Sequence, residues 1–173
     1  EPMIHAWPGS KCLGYLAMIL GLAAGLRFLG LDWDQGQHLH PDERFLTMVE
    51  TQLRWPSDFE EYLDEYRSGL NPRNVGFSFF VYGTLPTTLV KGTSLLVGWT
   101  EYQQVYLVGR FLSGLFDLGT VLLVFLLARI LYQDDRIALL ASFFYSVAVH
   151  AIQQSHFFTV DLFANFFLTA SIY

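Results

Sequence analysis

Residues His38-Leu39-His40-Pro41-Asp42-Glu43-Arg44 bring two imidazoles, two carboxylates and a guanidinium into consecutive positions. Such a set is open to three chemistries. An ionised carboxylate can take the proton from an attacking hydroxyl, which typically contributes about 10²–10⁴-fold in rate. Imidazoles and carboxylates can ligate a divalent cation. A cationic side chain can hold the charge that develops on a departing phosphate. Much further along, His156 and Asp161 offer a second imidazole and carboxylate. A cation would draw on His40, Asp42, His156 and Asp161, with His38 as a further candidate. Neither an HExxH nor a paired CxxC accompanies them, so histidine held by backbone or lipid headgroups is the competing reading. For Asp42 and Glu43 the competing reading is two acidic residues in a helix's first turn, where the helix N-terminus favours negative charge.

The elements that must position these groups are set by hydropathy. The chain of 173 residues is 53% hydrophobic, 17% aromatic and 15% charged, with mean hydropathy +0.35. Soluble domains carry about 25% charged residues, so the composition is that of a membrane protein. A net charge of −6 excludes a nucleic-acid partner, which requires a basic patch. The single cysteine, Cys12, excludes an internal disulfide framework and a cysteine-only zinc site. Apolar runs predict spans over residues 12–31, 105–132 and 137–160, with a last run over 162–173. Arg27 falls at the end of the first run, from which its long side chain is expected to snorkel to the interface. A cleaved signal peptide is the alternative reading of that run; the apolar character continuing through Leu31 argues against it. Arg110 and Asp117 are seven apart, on one helical face of the second span. They read as a functional pair, or as a structural pair or a snorkelling Arg110 near the outer end. Because the chain ends at Tyr173 inside an apolar run, it is expected to be the N-terminal part of a longer protein and inactive alone.

Residues 32–104 form a long loop that needs structure of its own. From Pro41, the positions of Phe45, Leu46, Val49 and Leu53 predict a helix that ends at Trp55-Pro56. A second amphipathic stretch sets Phe59, Tyr62, Leu63 and Tyr66 against Asp58, Glu60, Glu61, Asp64 and Glu65. Both suit a membrane surface, and the acidic face suits the outer side. Residues 76–99 are apolar but hold four glycines, Pro86 and Lys91, which makes them a poor span. Read as interfacial or re-entrant, they leave Lys11, Arg129 and Arg136 inside and put Asp42 and Asp161 together outside, as the positive-inside rule prefers.

The order of motifs then resembles a known family. After the first span come His40-Pro41-Asp42-Glu43, Tyr82-Gly83-Thr84-Leu85-Pro86, Gly109-Arg110-Phe111-Leu112-Ser113, Ala128-Arg129-Ile130-Leu131-Tyr132 and Gln154-Ser155-His156-Phe157-Phe158-Thr159-Val160-Asp161. From about Leu26 onward this resembles the N-terminal part of the GT-C glycosyltransferases, among them the protein O-mannosyltransferases and aminoarabinose transferases. The resemblance implies an all-α polytopic membrane protein, a GT-C-like transmembrane module with amphipathic interfacial helices in the first outer loop. It implies a polyprenyl-phosphate sugar as donor, membrane lipid around it, and a site on the outer face of a multi-pass protein of the bacterial cell membrane. It maps catalytic acids onto Asp42, Glu43 and Asp161. The segment matching Tyr82–Pro86 would lie along the outer face.

Two departures touch the phosphate site. Leu85, not a lysine, precedes Pro86, so Lys91 is the nearest lysine, and Arg44 follows the Asp-Glu pair directly. The expected roles are Asp42 as the base for an acceptor hydroxyl, with Glu43 and Asp161 orienting the acceptor or holding a cation. Arg44 or Lys91 would hold the departing phosphate, and His40, His156 and Tyr82 would contact substrate. The alternative from another class is a transporter or lipid-carrier scaffold that uses Arg110, Asp117 and the histidines as a polar pathway. Sugar and acceptor are not legible.

Overall fold

A computed structural model describes residues 8–173, and these fold into helices and connecting loops without a strand. Helix α1 (Ser10–Phe28) is followed by α2 (Pro41–Gln52), the short α3 (Phe59–Leu63), a 3-10 turn (Pro72–Val75) and α4 (Thr84–Val97). Then come α5 (Tyr102–Tyr132), α6 (Asp135–Ser146), α7 (Val149–Ser155) and α8 (Asp161–Ile172). Helices α1 and α5 are each long and apolar enough to cross a membrane, and α6 with α7 would make a third crossing if the bent pair acts as one. At about 1.5 Å per residue α5 is roughly 46 Å long, more than the ~30 Å of bilayer hydrocarbon. Helix α4, at 14 residues, reaches only about 21 Å.

Helix α5 is the axis of the fold and packs against α1, α2, α4, α6, α7 and α8. Its glycines allow the close approach. A Cβ at Gly109 would overlap the Phe158 ring, and one at Gly119 would stand 2.7 Å from Phe166. Two apolar cores result. One gathers Cys12, Leu16, Phe125, Ala128 and Ala138 where α1, α5 and α6 meet. The other gathers Leu46, Val90, Val105, Val108, Leu112, Phe158 and Phe163, and so ties α2 and α4 to the opposite end of α5.

Polar groups within the helix bundle depart from expectation in three ways. Arg27 does not snorkel. It is fully buried, and its Nε donates to Asp117 at 2.6 Å while a second nitrogen donates to the Ser146 carbonyl at 2.9 Å. Tyr145 and Asn165 extend this network to α6 and α8. Arg110 and Asp117 therefore do not pair with each other. Seven residues of helix separate them by about 10.5 Å along the axis, and each finds a partner on another element. Finally, the apolar run 137–160 is not one helix: α6 and α7 meet at 55°. The Ser146 carbonyl, which would serve the next turn of a continuous helix, serves Arg27 instead.

The loop helices form from local signals. In α2, Pro41 occupies the first turn and the His40 ring accepts the Asp42 N–H at 3.3 Å. In α3, Asp58 caps the Glu61 N–H at 2.8 Å, but the helix lasts only five residues. Phe59, Tyr62, Leu63 and Tyr66 all remain exposed.

Candidate active site

Glu43 lies on the inner face of α2 and is completely buried. Burying a carboxylate costs several kcal/mol unless its oxygens are paired, and here they are. Arg110 of α5 donates to both oxygens, each at 2.7 Å, and the Phe158 backbone N–H donates to one of them at 2.9 Å. Arg110 also donates to Asp34 at 2.9 Å and to the Leu31 carbonyl at 2.5 Å. The Tyr106 ring lies 4.7 Å from its guanidinium carbon. For Asp34, burial pushes the carboxyl up, but the bonds and charge of Arg110, with the Leu39 and Gly36 amides, more than offset this and leave it lowered. Glu43 thus joins α2, α5 and the link between α7 and α8, leaving no oxygen turned toward a substrate.

Asp42, the neighbour of Glu43, points the other way and is half-buried. The Tyr82 hydroxyl donates to its Oδ1 at 2.9 Å. The Tyr82 phenol is raised above its ordinary value, first by burial, then by the bond to Asp42 and by the charges of Asp42 and Asp161. Asp161 stands exposed in the first turn of α8, within electrostatic reach of the same phenol. Asp42, Tyr82 and Asp161 therefore share one locality, built from α2, the segment before α4, and α8. The Glu43–Phe158 bond fixes the first relative to the third.

The other sequence candidates lie elsewhere. Arg44 donates to the His38 carbonyl at 3.1 and 3.3 Å. Lys91 is buried against the far end of α2, where its ammonium donates to the Glu50 carbonyl at 3.1 Å. Burial lowers its pKa against the raising effect of the Glu50 charge. His38 is buried between Tyr102 and Tyr106, its ring nitrogens without hydrogen-bond partners. His40 caps α2, with its ring 4.7 Å from that of Phe157. His156 has Nδ1 2.8 Å from the Ile152 carbonyl and Nε2 3.0 Å from the Leu29 carbonyl. The set His40, Asp42, His156 and Asp161 does not converge: among the described residues no three His, Cys, Asp or Glu side chains are placed to share a metal ion.

Residues 91–173 match the family model of the dolichyl-phosphate-mannose-protein mannosyltransferases. No curated protein and no solved structure matches the chain significantly. The mannosyltransferase-like region starts on α4 and takes in α5 to α8, and so contains Arg110, Asp117, His156 and Asp161. Asp42, Glu43 and Tyr82 precede it. Hydrogen bonds join the two parts, since Glu43 is held by Arg110 and by the Phe158 amide, both within the mannosyltransferase-like region.

Two buried carboxylates were not singled out from the sequence. Asp34, in the loop after α1, is the second carboxylate on Arg110. Glu50, near the end of α2, is wholly buried and neither carboxylate oxygen is hydrogen-bonded. A signal for Glu50 was present: position 50 follows Leu46 and Val49 on the apolar stripe of α2.

Proposed function

We propose that the chain belongs to a membrane-embedded glycosyltransferase of GT-C type, to which it contributes acidic residues acting at the outer membrane face. Its donor is a mannosyl phosphate on a polyprenyl tail, and its acceptor is a hydroxyl of a protein. The observation that carries this reading is the placement of Asp42 beside Tyr82, with Asp161 in reach of the same phenol. The family match over residues 91–173 supplies the reaction class. The acceptor oxygen attacks the anomeric carbon, the bond from that carbon to the phosphate oxygen breaks, and polyprenyl phosphate leaves with the electron pair. Asp42 accepts the hydroxyl proton. Tyr82 orients the carboxylate by its single hydrogen bond, and Asp161 orients the acceptor. Glu43 acts as a positioning residue, holding α2 against α5 and the start of α8. A membrane-surface site lets the polyprenyl tail remain in lipid while the sugar reaches the acids.

Asp42→Asn keeps the shape and removes the base. It is expected to lower mannose transfer from mannosyl phosphoryl polyprenol in membranes by about 100-fold or more, with membrane insertion unchanged. Transfer within about threefold of the unaltered protein, well short of the general-base contribution, would overturn the assignment of the base.

A further inference from the structure

The segment between the 3-10 turn and α4 has the side-chain pattern of a strand but no neighbouring strand. Phe80 and Tyr82 pack on Phe45, with ring centroids 6.4 and 5.7 Å away. Phe79 and Val81 between them point out, 76% and 65% exposed. This alternation is the period of extended backbone. Among the described residues, no backbone N–H or C=O from Ser78 to Val81 meets a hydrogen-bond partner. Beside it runs a groove of about 590 Å³, lined by Phe80, Val81 and Gly83 of this segment and by Tyr62, Asp64 and Glu65 around α3. The next residue along the segment, Tyr82, is the one that holds Asp42.

We propose that this groove receives the acceptor as an extended polypeptide, whose backbone pairs with residues 78–81 and which is thereby led to Asp42. An unpaired row of N–H and C=O groups is a template for strand addition, in which main-chain bonds supply affinity and flanking pockets supply preference. Charge adds a preference here. Residues 58–73 carry five carboxylates against Arg67 and Arg73, and Asp42 and Asp161 follow at the end of the path. A neutral or basic acceptor segment fits, and an acidic one is repelled. The proposal rests on the reading of Asp42 as the base for sugar transfer.

The test uses the Asp42→Asn protein in nanodiscs and a fluorescent ten-residue peptide of Ser, Thr, Ala and two Lys. The peptide should bind, and a version N-methylated at alternate amides should bind about tenfold more weakly, the size of one or two net hydrogen bonds. A version with Glu in place of Lys should also bind more weakly. In the otherwise unaltered enzyme, Val81→Pro should raise KM for the peptide about tenfold and leave kcat within about twofold, since it removes one backbone donor. Equal binding of methylated and unmethylated peptides overturns the proposal, and because it needs no variant of the groove, misfolding cannot excuse it. Absence of peptide binding, with Val81→Trp fluorescence quenched by brominated lipid, assigns the face to the bilayer and also overturns it. If Asp42→Asn is inactive while methylation and Val81→Pro have no effect, the groove fails and the catalytic reading stands. If Asp42→Asn remains active, the catalytic reading fails, and this proposal fails with it.

Discussion

Arg110→Met removes a cation shared by three elements. Three bonds to carboxylates are lost, two to Glu43 at 2.7 Å and one to Asp34 at 2.9 Å, besides the bond to the Leu31 carbonyl. At about 1.5–3 kcal/mol each a simple sum gives roughly 5–9 kcal/mol. That sum overshoots, because Arg110 itself no longer has to be desolvated in the variant. Removing one partner of a buried pair typically costs about 3–5 kcal/mol, and we expect a loss in that range, read by thermal or denaturant unfolding of the detergent-solubilised protein. The double variant Glu43→Gln with Arg110→Met should recover about 2 kcal/mol relative to the sum of the singles, within the range of coupling between contacting residues. The introduced amide leaves no unpaired charge there, and its oxygen can still accept the Phe158 N–H. The pH response gives a second check. In the intact protein the lowered Asp34 contributes stability above its ordinary pKa of 3.8, and this is lost as pH falls through the lowered folded value. Without Arg110, burial acts on Asp34 with less opposition and pushes its pKa up. The deficit of the variant should then shrink as pH falls, because protonation removes the buried charge. Additivity within about 0.5 kcal/mol, or a loss under about 1 kcal/mol, would refute the claim that Arg110 holds the site together.

Two further outcomes follow from the same geometry. Burial raises the Glu50 carboxyl well above its ordinary 4.5, against the lowering effect of the Lys91 charge. A raised folded pKa gives stability that is fully present below the unfolded value and lost as pH rises through the folded one. Stability should therefore decline from its ordinary value of 4.5 toward neutrality, and Glu50→Gln should flatten this decline; a slope unchanged by that substitution would contradict the assignment. For topology, Cys12→Ser combined with single cysteines at the exposed Ser57, Gln133 and Gln153 should show labelling by an impermeant thiol reagent at 57 and 153 but not at 133. Labelling at 133 with protection at 153 would place Asp161 opposite Asp42 and end the two-acid reading.

Hydropathy and spacing made the all-α membrane class legible, as well as the start of α2 and the poor fit of α4 to a span, while α2 ends at Gln52, short of Trp55-Pro56. The family resemblance rested on the order of short motifs rather than on any one of them. What stayed hidden was partnership. Helical spacing places Arg110 and Asp117 on one face, but one-dimensional order cannot say that Asp34 and Glu43 take the first while Arg27 takes the second. Lys91 is the lysine nearest to Pro86 in sequence, but α4 carries its side chain to the far end of α2. The break between α6 and α7 has no proline or glycine to mark it. It is set by a carbonyl that bonds Arg27, a contact between residues far apart in the chain.

The bonds of Glu43 also impose an order in time. Arg110 lies 67 residues after Glu43 in the chain, and Phe158 lies 115 residues after it. At about 5–20 residues per second of synthesis, Glu43 waits roughly 3–13 s for its guanidinium and 6–23 s for its amide. During this interval the carboxylate must stay hydrated or protonated, so α2 cannot settle onto its final bed. The site is assembled only once the ribosome has delivered the turn into α8. A nascent chain arrested before residue 158 is exposed to quality control with its acids still unpaired. Substitutions at Arg110 should therefore reduce the amount of protein that survives biogenesis before they alter the rate of any finished molecule.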